Sequence, residues 1–255
     1  MANLFLDEYE HCDTRIMYSS QNIPGPGADL DSFNCQIALK CACSAKCSEG
    51  CACLVDSGVN YDSCGRLLGE KFSMNSAGVI ECGTECNCGE TCGNRVVQRG
   101  PVSGLEVVAV GGKGLGLMRN QDLRRGDFIC EYAGEVIGKS EAKMRANKSG
   151  TDAMNYIFVL EEHSGQNVVE TFVDPTCIGN IGRYINHSCN PNAAIVPVRF
   201  DSLEPHLAIF ALTDIGSGCE ITYSYSQGEH SYGKIPCLCA EDNCNKFIPF
   251  NPNLF

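Results

Sequence analysis

Short apolar runs separated by glycine and asparagine turns make up most of the chain between residues 102 and 226. Each run is four to six residues long and rich in β-branched or aromatic side chains, which is typical of strands. One stretch, 140–147, has a helical pattern, with Ser140 as its predicted N-cap. The pattern therefore predicts a mostly β domain whose strands span 105–110, 128–132, 156–160, 168–173, 194–198, 207–212 and 220–223.

Glycines cluster at 111–116, in the order Gly-Gly-Lys-Gly-Leu-Gly, directly after the first predicted strand. This run predicts a hairpin turn. It does not complete a phosphate-binding P-loop, because neither Ser nor Thr follows Lys113. Strands and helices also fail to alternate along the chain, which argues against a Rossmann-type cofactor fold.

Most of the 19 cysteines crowd into two stretches, 41–92 and 237–244, which indicates local chemistry. Disulfides in an exported chain compete here with metal-bound thiolates in a reducing compartment. Residues 1–10 carry acids and no long apolar run, so we expect neither export nor a membrane association. The pairs Cys41/Cys43 and Cys51/Cys53 sit too close to form strain-free disulfides. Thiolates on a shared metal tolerate that closeness, so the pattern favours metal.

Nine of these cysteines repeat spacings of one and three intervening residues in two matching halves. This spacing is too tight for the zinc knuckles of fingers and ribbons. Three tetrahedral zinc ions need twelve sulfur positions, which nine thiolates supply if three of them bridge two ions. A metallothionein-like store is the alternative, but it has little need for the apolar region that follows. The nine predicted ligands are Cys41, Cys43, Cys47, Cys51, Cys53, Cys82, Cys86, Cys88 and Cys92.

Several other cysteines fall outside this count. We expect Cys12, Cys35 and Cys64 to be buried or free thiols rather than metal ligands. Three more lie in or beside predicted strands, where we expect them to pack: Cys130, Cys177 and Cys219.

The formal net charge is -12 at pH 7, and zinc-bound thiolates would make it more negative. Such a charge disfavours autonomous, sequence-specific binding of nucleic acid, whose phosphates need a basic surface. It suits a basic polypeptide substrate, which an acidic surface attracts and orients. Ordinary solubility charge explains the acidity equally well.

Later motifs carry a family resemblance. Residues 183–192 read Arg-Tyr-Ile-Asn-His-Ser-Cys-Asn-Pro-Asn, a Tyr-Ser-Tyr run follows at 223–225, and Cys-x-Cys-x4-Cys begins at Cys237. With the nine-cysteine segment, these motifs resemble the SET-domain protein lysine methyltransferases of the suppressor-of-variegation class, over about residues 24 to 250. The resemblance implies a SET fold of several small sheets with a pseudoknot-like crossing. It also implies an N-terminal segment, a pre-SET zinc module, a SET catalytic domain and a post-SET tail, at 1–34, 35–101, 102–226 and 227–255.

The same resemblance implies S-adenosylmethionine as the cofactor and Tyr225 as the catalytic tyrosine. Tyr156 resembles a second pocket tyrosine, and Tyr223 occupies a position that controls how many methyl groups fit, where a tyrosine favours one or two. The substrate lysine must be neutral, although its ordinary pKa is about 10.4, so the channel must exclude water. Cofactor contacts are expected from Lys113, Gly114, Leu115, Tyr156, Arg183, Asn186 and His187.

The post-SET cysteines Cys237, Cys239 and Cys244 are one ligand short of a tetrahedral site, and Cys189 is the predicted fourth. Four structural zinc ions are therefore expected, three in the pre-SET module and one in the tail. The fourth would tie the tail to the active site and complete a wall of the substrate channel.

The resemblance implies a histone-lysine N-methyltransferase of the nucleus and chromosome, with the histone H3 tail as substrate and chromatin as partner. The pre-SET class points to lysine nine, whereas the members most similar in appearance are associated with lysine thirty-six. Leu115 and Ser224 depart from the family pattern, since an aromatic and an acidic residue are usual there. Two alternatives stay open: a catalytically silent SET module that recruits partners to chromatin, and a methyltransferase of a non-histone protein.

Overall fold

The computed structural model describes residues 9–38, 40–47, 50–73, 78–150, 154–164, 167–226 and 230–255. Two α-helices occur among these residues, α1 (Leu30–Asn34) and α2 (Lys139–Ser149). No helix in the described ranges has the length and apolar run that a bilayer crossing requires. The strands are β1 (Met17–Tyr18), β2 (Ile23–Pro24), β3 (Val79–Ile80), β4 (Leu105–Val110), β5 (Gly114–Arg119), β6 (Phe128–Glu131), β7 (Gly134–Ile137), β8 (Phe158–Ser164), β9 (Asn167–Gly179), β10 (Asn186–His187), β11 (Ala193–Arg199), β12 (His206–Ala211), β13 (Glu220–Tyr223), β14 (Ser231–Pro236) and β15 (Phe247–Phe250).

These strands form several small sheets, as expected for a SET fold. One sheet has the order β1-β9-β7-β2 with β8 added against β9, a second has the order β10-β13-β5-β4, and a third has the order β3-β11-β12-β6. The pair β14-β15 stands apart in the C-terminal tail. Strands from the segments before residue 102 join two of these sheets, so the N-terminal regions are built into the fold.

All seven predicted strands are present, and two of them, β4 and β13, have the predicted bounds. The strand predicted to start at Tyr156 begins instead at Phe158, because its ladder with β9 starts at the pair Phe158–Val173. The shortest strands were not predicted, since two residues carry no alternation of apolar and polar positions.

The helix predicted over 140–147 is α2, but its N-cap is Gly138 and not Ser140. The first turn is set by close packing: a Cβ at Gly138 would lie 2.5 Å from the carbonyl oxygen of Gly27. Gly138 also donates its N–H to Pro26. Backbone contact with the N-terminal segment therefore starts this helix, without a side-chain cap.

The predicted crossing of the chain is confirmed. β10 pairs in parallel with β13, so that Asn186 lies opposite Thr222 and His187 opposite Tyr223. β11 and β12 lie between these two strands in sequence but belong to another sheet. Ile185 and Ile221, which flank the pairing, are fully buried in the main apolar core. Burying each such side chain contributes about 1.5–3 kcal/mol, which holds this short pairing in register.

Glu81 connects the cysteine-rich segment to the sheet that contains β11. Its N–H donates to the carbonyl oxygen of Arg199, next to the parallel pairing of β3 with β11. Its buried carboxylate accepts four hydrogen bonds of 2.7–2.8 Å, from the Tyr61 hydroxyl, the N–H groups of Val96 and Val97, and the Gln98 amide. A buried carboxylate with this many donors is fully satisfied.

We expect Glu81→Gln to lower the free energy of unfolding by about 1–3 kcal/mol, because the amide keeps one oxygen for the three donors at Oε1 but turns its NH₂ group toward the Gln98 amide, whose hydrogen bond Oε2 accepts in the wild type. Urea denaturation monitored by circular dichroism measures the change. Glu85→Gln, at an exposed position four residues further along the chain, is the matched control and should unfold like the wild type. Equal midpoints for both variants would contradict the anchoring role of Glu81.

Candidate functional site

A cavity of about 460 Å³ lies between the β4–β5 turn, β10 and the C-terminal tail. Its volume falls within the range of small-molecule sites. All seven residues predicted to contact a cofactor line it, and so does Tyr225. The wall residues that were not predicted are Gly112, Met154, Tyr184, Ile235, Pro236, Cys237, Leu238 and Ile248.

The glycine-rich run forms one edge of this cavity. β4 and β5 pair as a hairpin that closes at Val110 and Gly114, so the hairpin prediction is confirmed. Gly112 and Gly114 have φ angles of +79° and +88°, a left-handed backbone that glycine adopts without strain. Glycine here also leaves the backbone open for close approach by a ligand.

Glu220 links the β4–β5 turn to β10 at the edge of the cavity. Its carboxylate forms a salt bridge of 2.7 Å with the Lys113 ammonium and accepts a hydrogen bond of 2.8 Å from the Asn186 amide. The same amide donates to the carbonyl oxygen of Leu115 at 3.0 Å. Sequence reasoning placed Glu220 at a strand terminus and assigned it no role. The available signal was an acidic residue that begins an otherwise apolar strand.

His187 is held as a neutral imidazole. Burial, with nearby His230 and Lys113, lowers the pKa of His187 to about 4. The Tyr225 N–H donates to Nδ1 at 3.2 Å, so Nε2 carries the hydrogen and faces the Cys189 sulfur at 3.4 Å. One ring therefore connects the predicted catalytic tyrosine to a predicted metal ligand.

Tyr225 lies where the crossing strands end. Its hydroxyl donates to the carbonyl oxygen of Ile185 at 3.1 Å, and its ring packs against His187 and Tyr223 with centroid distances of 5.3 and 5.1 Å. Burial raises the pKa of Tyr225, so the phenol stays protonated at neutral pH. This hydroxyl is a fixed hydrogen-bonding group.

Tyr223 stands behind Tyr225, in the core, and is not among the residues lining the 460 Å³ cavity. Its ring packs against Tyr132 and Phe158 at centroid distances of 6.0 and 6.3 Å. The Tyr132 hydroxyl donates to the carbonyl oxygen of Tyr156 at 2.5 Å. Tyr223 and Tyr225 thus belong to one aromatic group with Tyr132, which the sequence motifs did not indicate, and Tyr156 is linked to this group through its backbone carbonyl.

Arg183 forms the wall opposite the hairpin. Its guanidinium lies 4.8 Å from the ring centre of Tyr156 and 5.0 Å from that of Tyr184. Its Nε–H donates to the carbonyl oxygen of Pro175 at 3.1 Å. Two cation–π contacts and a backbone bond therefore fix the orientation of this side chain.

A second cavity of about 60 Å³ adjoins the first. The two cavities share Met154, Tyr225, Ile235 and Ile248, so Tyr225 stands in the partition between them. Most other lining residues of the smaller cavity are apolar, among them Ile157. Its size and lining suit a narrow apolar side chain such as the methylene stem of a lysine.

Ser224, which departs from the family pattern, supports the local backbone itself. Its hydroxyl donates to the carbonyl oxygen of Ser226 at 3.1 Å. The turn after β13 therefore has a side-chain hydrogen bond even without the acidic residue that is usual at this position.

Eight of the nine pre-SET cysteines form three overlapping groups whose sulfur atoms lie within 4.8 Å of one another. Cys41 and Cys47 each belong to two groups and Cys82 to all three. The ninth, Cys43, interacts with Cys41, Cys47 and Cys51. Zinc–sulfur bonds of about 2.3 Å place the sulfurs of a tetrahedral site about 3.8 Å apart, so the arrangement fits zinc.

Cys189, Cys237, Cys239 and Cys244 form a fourth such group. The Cys189 and Cys237 sulfurs are 3.9 Å apart, and the Asn245 N–H donates to the Cys189 sulfur at 3.5 Å. Cys237 also lines the larger cavity, so this group forms part of the cavity wall. The structure brings together the four ligands predicted for the tail.

The remaining cysteines differ in part from expectation. Cys12, Cys35 and Cys64 are free and exposed, and Cys130 is buried in β6. The prediction that Cys177 and Cys219 pack inside the fold is wrong, because both thiols are exposed. Cys177 lies on a solvent-facing position of β9, and Cys219 lies in the turn before β13.

Comparison with known proteins matches both parts of the chain. The SET domain family model matches residues 114–226, and the Pre-SET motif model matches residues 4–95. Histone-lysine N-methyltransferase SETMAR of Mus musculus is 42% identical over 260 residues, covering 94% of this chain and 82% of the relative.

Solved structures agree. The methyltransferase domain of human SETMAR has a TM-score of 0.81 and 38% identity, covering 92% of this chain and 90% of that one. KRYPTONITE, in complex with mCHH DNA, an H3(1-15) peptide and SAH, has a TM-score of 0.70 and 25% identity, covering 93% of this chain and 48% of that one. Two family models, a relative matched over most of its length and a shared fold lead to one conclusion: the chain belongs to the family of SET-domain histone-lysine N-methyltransferases that carry a pre-SET module.

Proposed function

We propose that this protein transfers a methyl group from S-adenosylmethionine to a lysine of the histone H3 tail. The observation that carries the proposal is the larger cavity, which gathers all seven predicted cofactor residues and Tyr225 from four separate segments. Its junction with the small apolar cavity at Tyr225 supports a donor and an acceptor that meet at this tyrosine.

In the proposed arrangement, the backbone of Lys113, Gly114 and Leu115 holds the methionine end of the cofactor, and Asn186 and His187 meet the adenosine. When bound, the sulfonium supplies an electrophilic methyl group. The Lys113 charge is neutralised by Glu220, so this edge presents backbone groups more than net charge to the ligand.

Tyr225 orients the substrate amine in this proposal. Its hydroxyl is fixed on the Ile185 carbonyl, and burial keeps it protonated, so it does not serve as a general base. The apolar walls of the small cavity exclude water and lower the pKa of an entering lysine, which favours the neutral nucleophile. Tyr156, beneath Arg183, borders the cofactor, and Tyr223 limits the space behind the amine.

Zinc is proposed as a structural element. The nine pre-SET cysteines would hold three ions, with Cys41, Cys47 and Cys82 shared between the sulfur groups, and the tail group would hold a fourth. Every site is filled by thiolates, which leaves no position for substrate. The ions would thus set the shape of the fold and of the cavity wall.

The histone H3 tail is proposed as substrate because KRYPTONITE, a structural relative, was solved with an H3 peptide, and because the net charge of -12 attracts a basic tail. Lysine nine and lysine thirty-six are the two positions that the family relationship favours. Such a substrate places the protein in the nucleus, on chromatin.

A peptide array tests the function. Wild-type protein with radiolabelled S-adenosylmethionine should label peptides of the H3 tail, and Tyr225→Phe should lower the rate about 10²-fold or more, because the amine loses its orienting hydroxyl. Tyr232→Phe, at an exposed tyrosine of β14, is the matched control and should label like the wild type. Labelling confined to non-histone peptides, or none at all, would contradict the proposal.

Tyr223→Phe should raise the product state toward trimethyl-lysine. Removing the hydroxyl behind Tyr225 enlarges the space around the amine, so a dimethylated lysine can turn toward the donor. Mass spectrometry of a methylated H3 peptide measures the distribution of products. An unchanged distribution, at equal substrate conversion, would count against a size-limiting role for Tyr223.

Elemental analysis should find about four zinc ions in each wild-type chain. Cys239→Ser should lose about one ion and weaken binding of S-adenosylhomocysteine, because Cys237 and Leu238 form part of the cavity wall. Cys64→Ser, which removes an exposed thiol outside all four groups, should keep both properties. Full zinc content in Cys239→Ser, or a wild type that is folded with far less zinc, would overturn the ligand assignment.

A further inference from the structure

The segment that precedes β2 lies against the outside of the cavity wall. β1 pairs in parallel with the end of β9, and Ser19 donates its N–H to the carbonyl oxygen of Gly179 at 2.9 Å. A turn closed by the bond from the Ile16 N–H to Asp13 folds the chain back on itself. As a result His11 reaches the same Gly179 carbonyl, with Nε2 at 2.9 Å.

The hydrogen-bonding roles at His11 follow from its partners. A carbonyl oxygen only accepts, so Nε2 carries the hydrogen and Nδ1 is an acceptor. The Tyr184 hydroxyl lies 2.9 Å from Nδ1 and therefore donates to it. Both ring nitrogens are satisfied, and the imidazole is locked between the end of β9 and Tyr184.

An aromatic cluster surrounds this contact. The Tyr9 ring packs edge-on against His11 and against Tyr184, with centroid distances of 5.1 and 5.9 Å. The Tyr18 ring lies 6.2 Å from that of His11. Tyr184, which is buried, thus contacts the N-terminal segment through both its ring and its hydroxyl.

Tyr184 connects the cluster to the cofactor cavity. It ends the short 3₁₀ turn Ile181–Tyr184, lines the 460 Å³ cavity and stacks under the guanidinium of Arg183. Arg183 lines the cavity as well, between the rings of Tyr156 and Tyr184. Any rotation of Tyr184 would therefore displace Arg183 and narrow or widen the site.

We propose that His11 is a positioning residue for cofactor binding, which acts through the Tyr184 hydroxyl to hold the Arg183 side of the cavity. The proposal rests on the proposed function for the identity of the ligand. It extends the cofactor site to residues 9–18, a segment outside every motif that the sequence analysis singled out.

Isothermal titration with S-adenosylhomocysteine, the cofactor's product form, tests this role. His11→Ala and Tyr184→Phe should each raise the dissociation constant about threefold to tenfold, since both remove the hydrogen bond between His11 and the Tyr184 hydroxyl, while His11→Ala also removes the bond to Gly179. The double variant should bind like His11→Ala, because the hydrogen bond that Tyr184→Phe removes is already absent from it. Thr14→Ala, at an exposed position of the same segment, is the matched control and should bind like the wild type.

The outcomes separate the two proposals. Wild-type protein that binds no S-adenosylhomocysteine overturns the proposed function, and the positioning role with it. Wild-type binding with an unchanged dissociation constant in Tyr184→Phe overturns the positioning role alone, even where His11→Ala fails to fold. Thermal destabilisation without weaker binding, or additive effects in the double variant, would equally overturn it, since each assigns His11 a role independent of the Tyr184 hydroxyl.

Discussion

The parallel pairing of Asn186 and His187 with β13 is the constraint on which the site depends. Two residues cannot hold a strand by themselves, so the register is maintained by Ile185 and Ile221, which directly precede the paired residues on the two chain segments and are buried in the core. Because of that register, the Asn186 amide meets Glu220 and the His187 ring meets the backbone of Tyr225. The apolar packing behind the cavity thus fixes the positions of the polar side chains on its surface.

In the pre-SET module, cysteine side chains take the place of an apolar core. All nine of its cysteines are buried or half-buried in one cluster, and Leu54 is the one other apolar residue of that cluster among the described residues. A segment of this size has too little apolar surface to fold by itself, and thiolate-bound metal is the usual remedy. Glu81 and β3 then connect the module to the sheet that contains β11, so the cysteine cluster lies next to the hydrophobic part of the protein.

What the sequence could predict follows from the range of each interaction. Short runs rich in β-branched and aromatic side chains predicted β4 and β13 with correct bounds, and the cysteine spacing predicted the sulfur groups, because both signals are local. The convergence of Asn186, Lys113 and Tyr225 came from family resemblance, since no local pattern specifies a crossing. Glu220, Tyr132 and His11 were missed because each acts through a partner between 24 and 173 residues away. The prediction of Ser140 as N-cap failed for the same reason, because the helix starts where the backbone of Gly138 packs against that of Gly27.

The wall of the larger cavity comes from segments that are synthesised at different times. Its hairpin edge, Arg183 and Tyr225 all lie before residue 226, whereas Ile235, Leu238 and Ile248 are synthesised later. Leu238 is also the side chain nearest to Gly112, so the final part of the chain closes over its earlier turn. A nascent chain that has already formed its sheets therefore still has an open groove in place of a pocket. The pocket is therefore complete only after residues 235–248 have been synthesised and have folded back over the groove, so the metal-binding tail adds its part of the wall after the sheets.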